Sequence, residues 1–238
     1  MGSLAPADAL SGMWPIAGLV VRTPRLSLRW PRDDDLIALA SLGAEGVHGP
    51  DEMPFSMPWS RGSADEIRRR VLQWHWMQRG RWTPSSWSWN PVVVLSDGVV
   101  CGTQSLFADD FGLRRTVETG SWLGRRFQGR GIGVEMRRAV LHLAFDGLEA
   151  SRAETGAFED NAASLTVTRR VGYRDNGDRI LAVEGRRRRM LAFALDRSDW
   201  SALAPDDVEI EGLGPCLPLF GAVAGADAAE VEGGPESG

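Results

Sequence analysis

Apolar residues follow a strand-like period and then helix-like periods along the amino-terminal half of the chain. Apolar and polar positions alternate over residues 19–30, which predicts a strand. A proline and three acidic residues open the apolar run over 31–42, as is typical of a helix start. Ser63 and Glu66 form a capping-box pattern at the start of an amphipathic stretch over 63–78, so we expect a second helix there.

The rest of the chain alternates strands and helices. Asp97-Gly98 is a hairpin turn signal, and Asn161 and Gly172 are typical of the first and last boundaries of a helix. The further predicted elements are a hairpin over 89–107, strands over 116–124, 152–158 and 189–195, helices over 134–145 and 161–172, and a Gly- and Pro-shaped loop over 46–59. This order predicts an α/β domain built on a mixed sheet.

The two ends of the chain differ from its body. Residues 1–18 contain Gly, Ala and Pro without periodicity, and residues 222–238 are rich in Ala, Gly and Glu, so we expect a disordered leader and a disordered acidic tail. The domain is expected to occupy 19–200. Residues 201–221 form an extension, and we expect its apolar part, 208–221, to pack back on the domain as a short strand or arm.

Composition narrows the function classes. The 238 residues are 43% hydrophobic, which is ample for a packed core. No stretch reaches the roughly 18 uncharged apolar residues of a membrane helix and no basic signal-peptide region is present, so we expect a cytoplasmic protein without a membrane partner. All 27 basic residues are arginines, which excludes a Schiff-base lysine and a P-loop lysine. Cys101 and Cys216 lack metal or redox spacing, so we expect reduced, structural thiols and no metal site.

Charge is distributed unevenly along the chain. Residues 206–238 hold eight acidic residues and no basic one. The chain before position 206 therefore has 27 basic and 24 acidic residues, which gives this part a formal charge of +3. A mildly basic body suits a small anionic ligand better than a polyanion, and we expect no nucleic-acid partner.

Three glycines at every second position lie between a predicted strand and a predicted helix. They are Gly129, Gly131 and Gly133 in the stretch SWLGRRFQGRGIG, residues 121–133. Bare backbone at a helix start is suited to an anion that must come closer than a side chain allows. The spacing, Gln128-x-x-Gly131-x-Gly133, fits neither a P-loop nor a dinucleotide-binding fingerprint.

This spacing resembles the acyl-CoA pyrophosphate loop of the GNAT (Gcn5-related N-acetyltransferase) superfamily, Q/R-x-x-G-x-G/A. The preceding VETGSWLG resembles the splayed fourth strand of that family, and NAASLTVTRRVGY resembles its NxxSxxVxxKxGF/Y helix. The stretch TPRLSLRWPRDDDL resembles the opening of the RimJ/RimL-like branch, whose members acylate protein α-amino groups or small amines. The stretches EGVHGPDEMPFSMPW, GSWLG, GYRDNG and CLPLFG more closely resemble an actinobacterial subgroup that includes a mycobacterial GNAT associated with succinyl-CoA. The resemblance covers roughly residues 19–221.

The resemblance implies a GNAT fold, with a mixed, mostly antiparallel central sheet, a splayed strand pair at the acyl-CoA site, and flanking helices. It also implies direct transfer of an acetyl or succinyl group from acyl-CoA to a primary amine, either a small molecule or a protein N-terminus. The cofactor-binding residues that it assigns are Trp122, Leu123, Gly124, Arg126, Gln128, Gly129, Arg130, Gly131, Ile132, Gly133, Val134, Asn161 and Ser164.

Direct transfer needs a base for the amine and a proton for the leaving thiolate. Glu118, before the Gly-x-Trp of the splayed strand, is the favoured base, and His48 competes because its ordinary pKa suits neutral pH. Threonine stands at position 168, where the superfamily often has a tyrosine acid. A threonine hydroxyl is a weak acid, so Thr168, Ser164 or a bound water is expected only to hydrogen-bond the thiolate.

The acceptor side is less defined by sequence. The expected substrate-binding residues are His48, Asp51, Met53, Phe55, Trp82 and Trp87. The tryptophans within 74–89 either pack against the sheet, which is favoured, or wall an acceptor cleft. Tyr173 is expected in the core, and His75 and His142 are expected to be scaffolding.

Several alternatives remain open from sequence. Arg125 and Arg126 could screen CoA charge or hold the free carboxylate of a dicarboxylic acyl group. The four arginines at 186–189 are expected in a solvated loop, or dock an acidic partner such as an acyl carrier protein or the chain's own tail. Acyl-phosphopantetheine on a carrier protein, in natural-product assembly, is thus an alternative donor. A non-catalytic CoA-ester-binding protein and a homodimer through 208–221 are further possibilities.

Overall fold

The computed structural model describes residues 6–222. Ten strands are present in this part of the chain: β1 (Val20–Arg22), β2 (Leu26–Arg29), β3 (Ser86–Trp89), β4 (Val92–Leu95), β5 (Val100–Asp109), β6 (Thr116–Leu123), β7 (Arg152–Phe158), β8 (Arg174–Val183), β9 (Arg186–Asp196) and β10 (Glu209–Glu211). The α-helices are α1 (Pro6–Met13), α2 (Asp33–Glu45), α3 (Ala64–Gly80), α4 (Phe111–Arg114), α5 (Ile132–His142), α6 (Ala162–Val171) and α7 (Arg197–Trp200). None of the described helices is long and apolar enough to cross a membrane.

All ten strands belong to one sheet. Its order is β10-β1-β2-β4-β5-β6-β7-β9-β8, with β3 paired to β5 off this path. Only the β6–β7 pair is parallel, and the others are antiparallel. The expected α/β class with a mixed, mostly antiparallel sheet is therefore confirmed.

The sheet opens between β6 and β7. These strands pair only from Thr116↔Arg152 to Glu118↔Glu154. Beyond that point β6 stays paired with β5 as far as Leu123, and β7 stays paired with β9 as far as Phe158. Because each strand keeps its outer partner while losing its inner one, a gap forms in the middle of the sheet. The predicted splayed strand pair is confirmed.

Helices cover the two faces of the sheet as two pairs. α2 and α3 pack against each other on one face, and α5 and α6 pack against each other on the opposite face. Side chains of β6 alternate between these faces. Ser121 contacts Arg137 of α5, whereas Trp122 packs with Trp59 and the apolar cluster under α2 and α3. The gap between β6 and β7 thus connects the two faces.

The expectation of a disordered leader over 1–18 is wrong for residues 6–18. These residues form α1 and a short 3₁₀ turn, Pro15–Gly18, in which Ile16 is fully buried. The reason is tertiary: Trp14 packs edge-on against Trp82 in the main core. Residues 1–5 lie outside the described residues. Of the predicted tail 222–238, only Ala222 is described, and it packs against the same core.

The expected solvated loop at Arg186–Arg189 is also wrong, because these residues begin β9. They pair with β8, an edge strand that the sequence pattern did not indicate. Glu184 and Gly185 have φ values of 49° and 71°. Two left-handed residues in succession make a tight hairpin turn, so the four arginines that follow it pair with the end of β8.

The apolar part of the extension packs back as the sequence predicted. β10 pairs with β1, and the segment Gly214–Phe220 forms a 3₁₀ helix. Cys216 and Phe220 are buried in this segment. Both cysteines of the chain, Cys101 and Cys216, are free and buried, and burial raises the pKa of the Cys101 thiol to about 12.

Candidate active site

The glycine loop forms an open cradle at the start of α5. Gly129 and Gly131 have φ values of 73° and 78°, a left-handed backbone that favours glycine. A Cβ on Gly129 would meet no atom within 4 Å, so the loop faces open space there. The Gln128 side chain fixes the base of the cradle, because its amide donates to the carbonyls of Val47 at 2.8 Å and Leu123 at 2.9 Å.

Backbone amides at the start of α5 are available to a ligand. The N-cap, Gly131, offers no side-chain cap, and the first amides of a helix have no intrahelical acceptor. The one acidic residue of the first turn, Glu135, is held by Thr23 and Arg25. The helix dipole and the free amides therefore favour an anion at this position, which fits the pyrophosphate of acyl-CoA.

Other residues of the predicted cofactor set have identifiable local roles. A Cβ on Gly133 would lie 3.2 Å from Val167 of α6, and one on Gly124 would lie 2.3 Å from Leu42. Both glycines therefore permit close packing behind the loop. Trp122 and Leu123 end β6, Ile132 and Val134 open α5, and Arg130 is exposed. Arg126 is ion-paired with Glu45 and stacks over Phe127, while Arg125 is exposed.

α6 presents its amino-terminal turn near α5, as the resemblance implies. The Asn161 side chain accepts a hydrogen bond from the Ser164 amide at 3.0 Å, so it caps the helix. Ser164 is half-buried. Thr168 is only 1% exposed, and this contradicts its expected contact with a leaving thiolate. The reason is helical geometry: one turn beyond Ser164 the same face of α6 turns into the core.

Glu118 lies on the opposite face of the sheet from α5. Ser121 faces α5, and side chains alternate along a strand. The side chains at positions 118, 120 and 122 of β6 therefore face the side of α2 and α3. Glu118 stands beside Glu154 of β7 at the last paired position before the gap. A Cβ on Gly120 would meet no atom within 4 Å, so the strand is open between the carboxylate and the indole.

An open cleft of about 180 Å³ surrounds these two carboxylates. Glu154 pairs with Arg152 at 2.9 Å, and Asp178 in the same cleft pairs with Arg189 at 2.9 Å. Within the described part of the chain, Glu118 has no ion pair. Burial raises the pKa of the Glu118 carboxyl, and the neighbouring charge of Glu154 raises it further. Glu118 is therefore a carboxylate without an ion pair in the described chain, and its pKa is raised.

His48 is tied into its loop. Nδ1 lies 2.6 Å from the Gly49 carbonyl, and Nε2 lies 2.7 Å from the Ser60 hydroxyl. Because a carbonyl can only accept, Nδ1 carries the proton and Nε2 accepts from Ser60. Both ring nitrogens of His48 thus have partners within the loop.

An aromatic row connects this loop to the sheet. His48 packs on Phe55, Phe55 on Trp59, and Trp59 on Trp122, with ring centroids 5.9, 5.0 and 5.2 Å apart. Asp51 is exposed in the loop. The row runs along the same face as Glu118 and gives that face an apolar wall.

Three of the expected substrate-binding residues belong to the core instead. Met53 is 4% exposed and packs with Phe158, Val183 and Met190. Trp82 and Trp87 are 9% and 3% exposed, and their ring N–H groups donate to the carbonyls of Leu219 and Phe220 at 2.9 Å. The tryptophan-walled cleft is therefore wrong for this pair, because the carboxy-terminal segment covers both indoles. The core position expected for Tyr173 is confirmed, at 5% exposure, and His75, expected to be scaffolding, is buried at 2% exposure.

Sequence reasoning missed Arg137. This residue of α5 is 4% exposed and donates to side chains of three strands, namely Gln104 of β5, Ser121 of β6 and Thr155 of β7. One signal could have indicated it: Arg137 directly follows Met136 and lies three positions before Val140, so it interrupts the apolar face of the predicted helix.

Comparisons with known proteins agree with this geometry. A family model described as an acetyltransferase (GNAT) domain matches residues 25–174, a range that contains the glycine loop, the β6–β7 gap and α6. YdaF of Bacillus subtilis (strain 168), provisionally named a ribosomal N-acetyltransferase, is 31% identical over 109 residues, which are 45% of this chain and 59% of YdaF. YjcK of the same strain, named a probable N-acetyltransferase, is 33% identical over 86 residues, 36% of this chain and 48% of YjcK. The chain thus spans about half the length of the curated relatives that it matches.

Solved structures share the fold. A crystal structure described as a probable acetyltransferase is 25% identical, with a TM-score of 0.60, over 74% of this chain and 96% of that one. RimL, described as a ribosomal L7/L12 alpha-N-protein acetyltransferase in complex with coenzyme A, is 20% identical, with a TM-score of 0.60, over 74% of this chain and 97% of RimL. The likeness to RimL concerns the fold alone. With the matched domain covering more than half of its length, this chain belongs to the GNAT acetyltransferase family.

Proposed function

We propose that this protein is an N-acyltransferase that moves an acyl group from acyl-CoA to a primary amine, with a protein N-terminus as the favoured acceptor. The observation that carries the proposal is the gap between β6 and β7. It has an anion cradle at the start of α5 on one face and the unpaired Glu118 carboxylate on the other. Donor and acceptor can therefore meet in the gap from opposite faces.

The donor half rests on the backbone. The backbone amides from Gly129 to Gly133 hold the pyrophosphate, whereas those of Gln128 and Val134 already donate to the carbonyls of Arg125 and Gly131. The edge of β6 that β7 leaves unpaired, between Glu118 and Leu123, pairs with the pantetheine arm. Asn161 and Ser164 flank the arm from α6. Acyl-CoA supplies the activated thioester, and the chain supplies position, which is a large part of catalysis when two reactants are held in contact.

Glu118 acts as the general base. The amine nitrogen forms a bond to the thioester carbon as the carbon–sulfur bond breaks, and the proton of the amine passes to Glu118. The leaving thiolate takes its proton from water, and the Ser164 hydroxyl donates a hydrogen bond to it. A carboxylate with a raised pKa is a stronger base than an ordinary glutamate, so the direction of the Glu118 shift suits this role.

The acceptor half is recognised by charge and by the aromatic row. Glu118 and Glu154 attract an ammonium group, and the row from His48 to Trp122 packs against the rest of the acceptor. An α-amine with a pKa near 8 loses its proton more readily than a lysine amine near 10.4, which suits a single weak base. The names of YdaF and RimL, which refer to ribosomal acceptors, point in the same direction.

We place acetyl ahead of succinyl as the transferred group. Arg126 is already committed to Glu45, and this weakens its proposed role in holding a second carboxylate. CoA is likewise placed ahead of a carrier protein, because Arg188 is paired with Asp160 and Arg189 with Asp178. Two of the four arginines considered for carrier docking are thus occupied.

The test is a turnover assay with purified protein. Release of free CoA is followed by thiol detection, with acetyl-CoA or succinyl-CoA as donor and peptides with free or blocked N-termini as acceptors. The proposal expects turnover that needs a free α-amine and is lost in Glu118→Gln. A non-catalytic CoA-ester-binding protein would instead bind acetyl-CoA in calorimetry and release no CoA with any amine.

A further inference from the structure

The Arg137 guanidinium is a buried charge without a counter-ion. Its Nε, Nη1 and Nη2 donate to Gln104 Oε1 at 3.2 Å, Thr155 Oγ1 at 3.3 Å and Ser121 Oγ at 3.0 Å. The Tyr173 hydroxyl lies against the same group. All four partners are neutral, and among the described residues no carboxylate pairs with Arg137. An uncompensated cation in the interior is costly, so negative charge that arrives nearby is strongly favoured.

Two of the hydroxyls that accept from this guanidinium differ in what they do with their own protons. Thr155 donates its proton to the Thr119 carbonyl at 2.9 Å. Within the described chain, Ser121 has no acceptor for its proton. Ser121 is also half-buried, whereas Gln104, Thr119 and Tyr173 are buried. Ser121 is therefore a donor that a cation polarises from behind and that remains accessible from the gap.

Ser121 also lies on the edge of β6 that faces the missing strand partner. Strand backbones alternate the side to which they bond. Thr119 turns its carbonyl toward Thr155 of β7, so Ser121 and Leu123 turn theirs the same way, beyond the point where β7 stops pairing. The Ser121 amide and carbonyl thus face the gap, on the edge proposed for pantetheine, and its half-buried hydroxyl lies on the α5 side of that edge.

We infer that Ser121, backed by Arg137, donates a hydrogen bond to the thioester oxygen of the acyl donor and stabilises the negative charge that develops there during transfer. This inference rests on the proposed function. Ser121 is the contacting donor, and Arg137 is a positioning residue that acts through it. A preorganised donor with a cation behind it needs no reorganisation as the charge forms, which is where such groups contribute most to rate.

The test compares two hydroxyl deletions on the same guanidinium. Ser121→Ala is expected to lower kcat with acetyl-CoA by about 100-fold, the usual effect of losing one oxyanion donor, with little change in acetyl-CoA affinity by calorimetry. Thr155→Val is the matched control. It removes the other hydroxyl that accepts from Arg137, and that hydroxyl already donates its proton to the Thr119 carbonyl. We expect Thr155→Val to lower the melting temperature at least as much as Ser121→Ala does, with a loss of kcat of less than about fivefold.

Ser121→Thr keeps the hydroxyl and is expected to recover most of the lost kcat. Equal losses of kcat in Ser121→Ala and Thr155→Val would overturn the inference, because both hydroxyls would then only hold Arg137 in place. So would a rise in the KM for succinyl-CoA alone, because the pair would then bind an acyl carboxylate. A wild-type protein that binds acetyl-CoA and releases no CoA overturns the proposed function itself, and the inference with it.

Discussion

Glu118 and Glu154 stand side by side at the last paired position of the parallel strands β6 and β7. Directly beyond them the sheet opens. Glu154 is ion-paired with Arg152, whereas Glu118 has no ion pair in the described chain. Burial and the charge of Glu154 both raise the pKa of the Glu118 carboxyl, because each disfavours its ionised form.

Glu154→Gln should shift the pH profile of the enzyme. Burial is the larger cause of the raised Glu118 pKa and the charge of Glu154 is the second, so removing that charge lowers the Glu118 pKa. The acidic limb of the kcat/KM profile, where the base becomes protonated, is expected to move to lower pH. Glu149→Gln, a change at an exposed residue after α5, serves as the control. An unmoved acidic limb would contradict the role of Glu118 as base.

Glu118→Gln should stabilise the fold while it removes activity. A carboxyl whose folded pKa is raised binds its proton more tightly in the folded state than in the unfolded state. Its ionised form therefore costs stability above the unfolded pKa, and a neutral isostere removes that cost. The melting temperature at pH 7 is expected to rise, with no such gain at pH 4. A lower melting temperature at pH 7 would mean that Glu118 makes a structural contact.

Gly129→Ala should weaken CoA binding beyond its effect on stability. The residue has a φ of 73°, so an alanine there costs about 1–2 kcal/mol in backbone strain. Gly98→Ala is the matched control, since Gly98 has a φ of 88° in the β4–β5 turn and equally open space around its Cβ position. Calorimetric titration with CoA is expected to show weaker binding for Gly129→Ala only. Equal binding by both variants would remove the loop from the cofactor site.

Gly124→Ala should destabilise the junction of β6 with α2. The added methyl would lie 2.3 Å from Leu42 Cδ1, and overpacking of this kind costs about 1–3 kcal/mol. Shortening Leu42 to Ala in the same chain makes room, so the double variant is expected to be less destabilised than the sum of the single changes. Chemical denaturation of the three variants measures this coupling. Additive losses would show that the two side chains do not compete for the space.

Trp87→Phe should affect stability and leave the acceptor KM unchanged. The indole N–H donates to the Phe220 carbonyl at 2.9 Å, and leaving that buried carbonyl without a donor costs about 1–3 kcal/mol. Phe55→Ala, in the aromatic row, is expected to raise the KM for the peptide acceptor. A raised acceptor KM in Trp87→Phe and an unchanged one in Phe55→Ala would contradict this prediction, because the acceptor would then bind at the tryptophans and not at the aromatic row.

Local signals explain what could be predicted from the sequence. The glycine loop, the Ser63 and Asn161 caps and the Asp97-Gly98 turn are each specified by a few neighbouring residues, and each forms as predicted. The start of α5 follows from the same glycines. The position of Glu118 beside the gap required only strand order and alternation.

Contacts between distant segments explain what could not. The side chains of Trp82 and Trp87 are covered by carbonyls at positions 219 and 220, which the local pattern does not reveal. β8 is mostly polar and contains a glycine, and it becomes a strand because the Glu184-Gly185 turn folds it onto β9. The partners of Arg137 come from three strands, so its burial is visible only after the sheet is assembled.

The most direct test of the account is the rate of CoA release from acetyl-CoA in the presence of a peptide with a free N-terminus, for wild type and Glu118→Gln at pH 7. The account predicts turnover by the wild type and a loss of about 10²- to 10⁴-fold in the variant, the usual worth of a general base, with unchanged acetyl-CoA affinity. Equal rates for the two proteins would contradict it, because acyl transfer would then not depend on the Glu118 carboxylate.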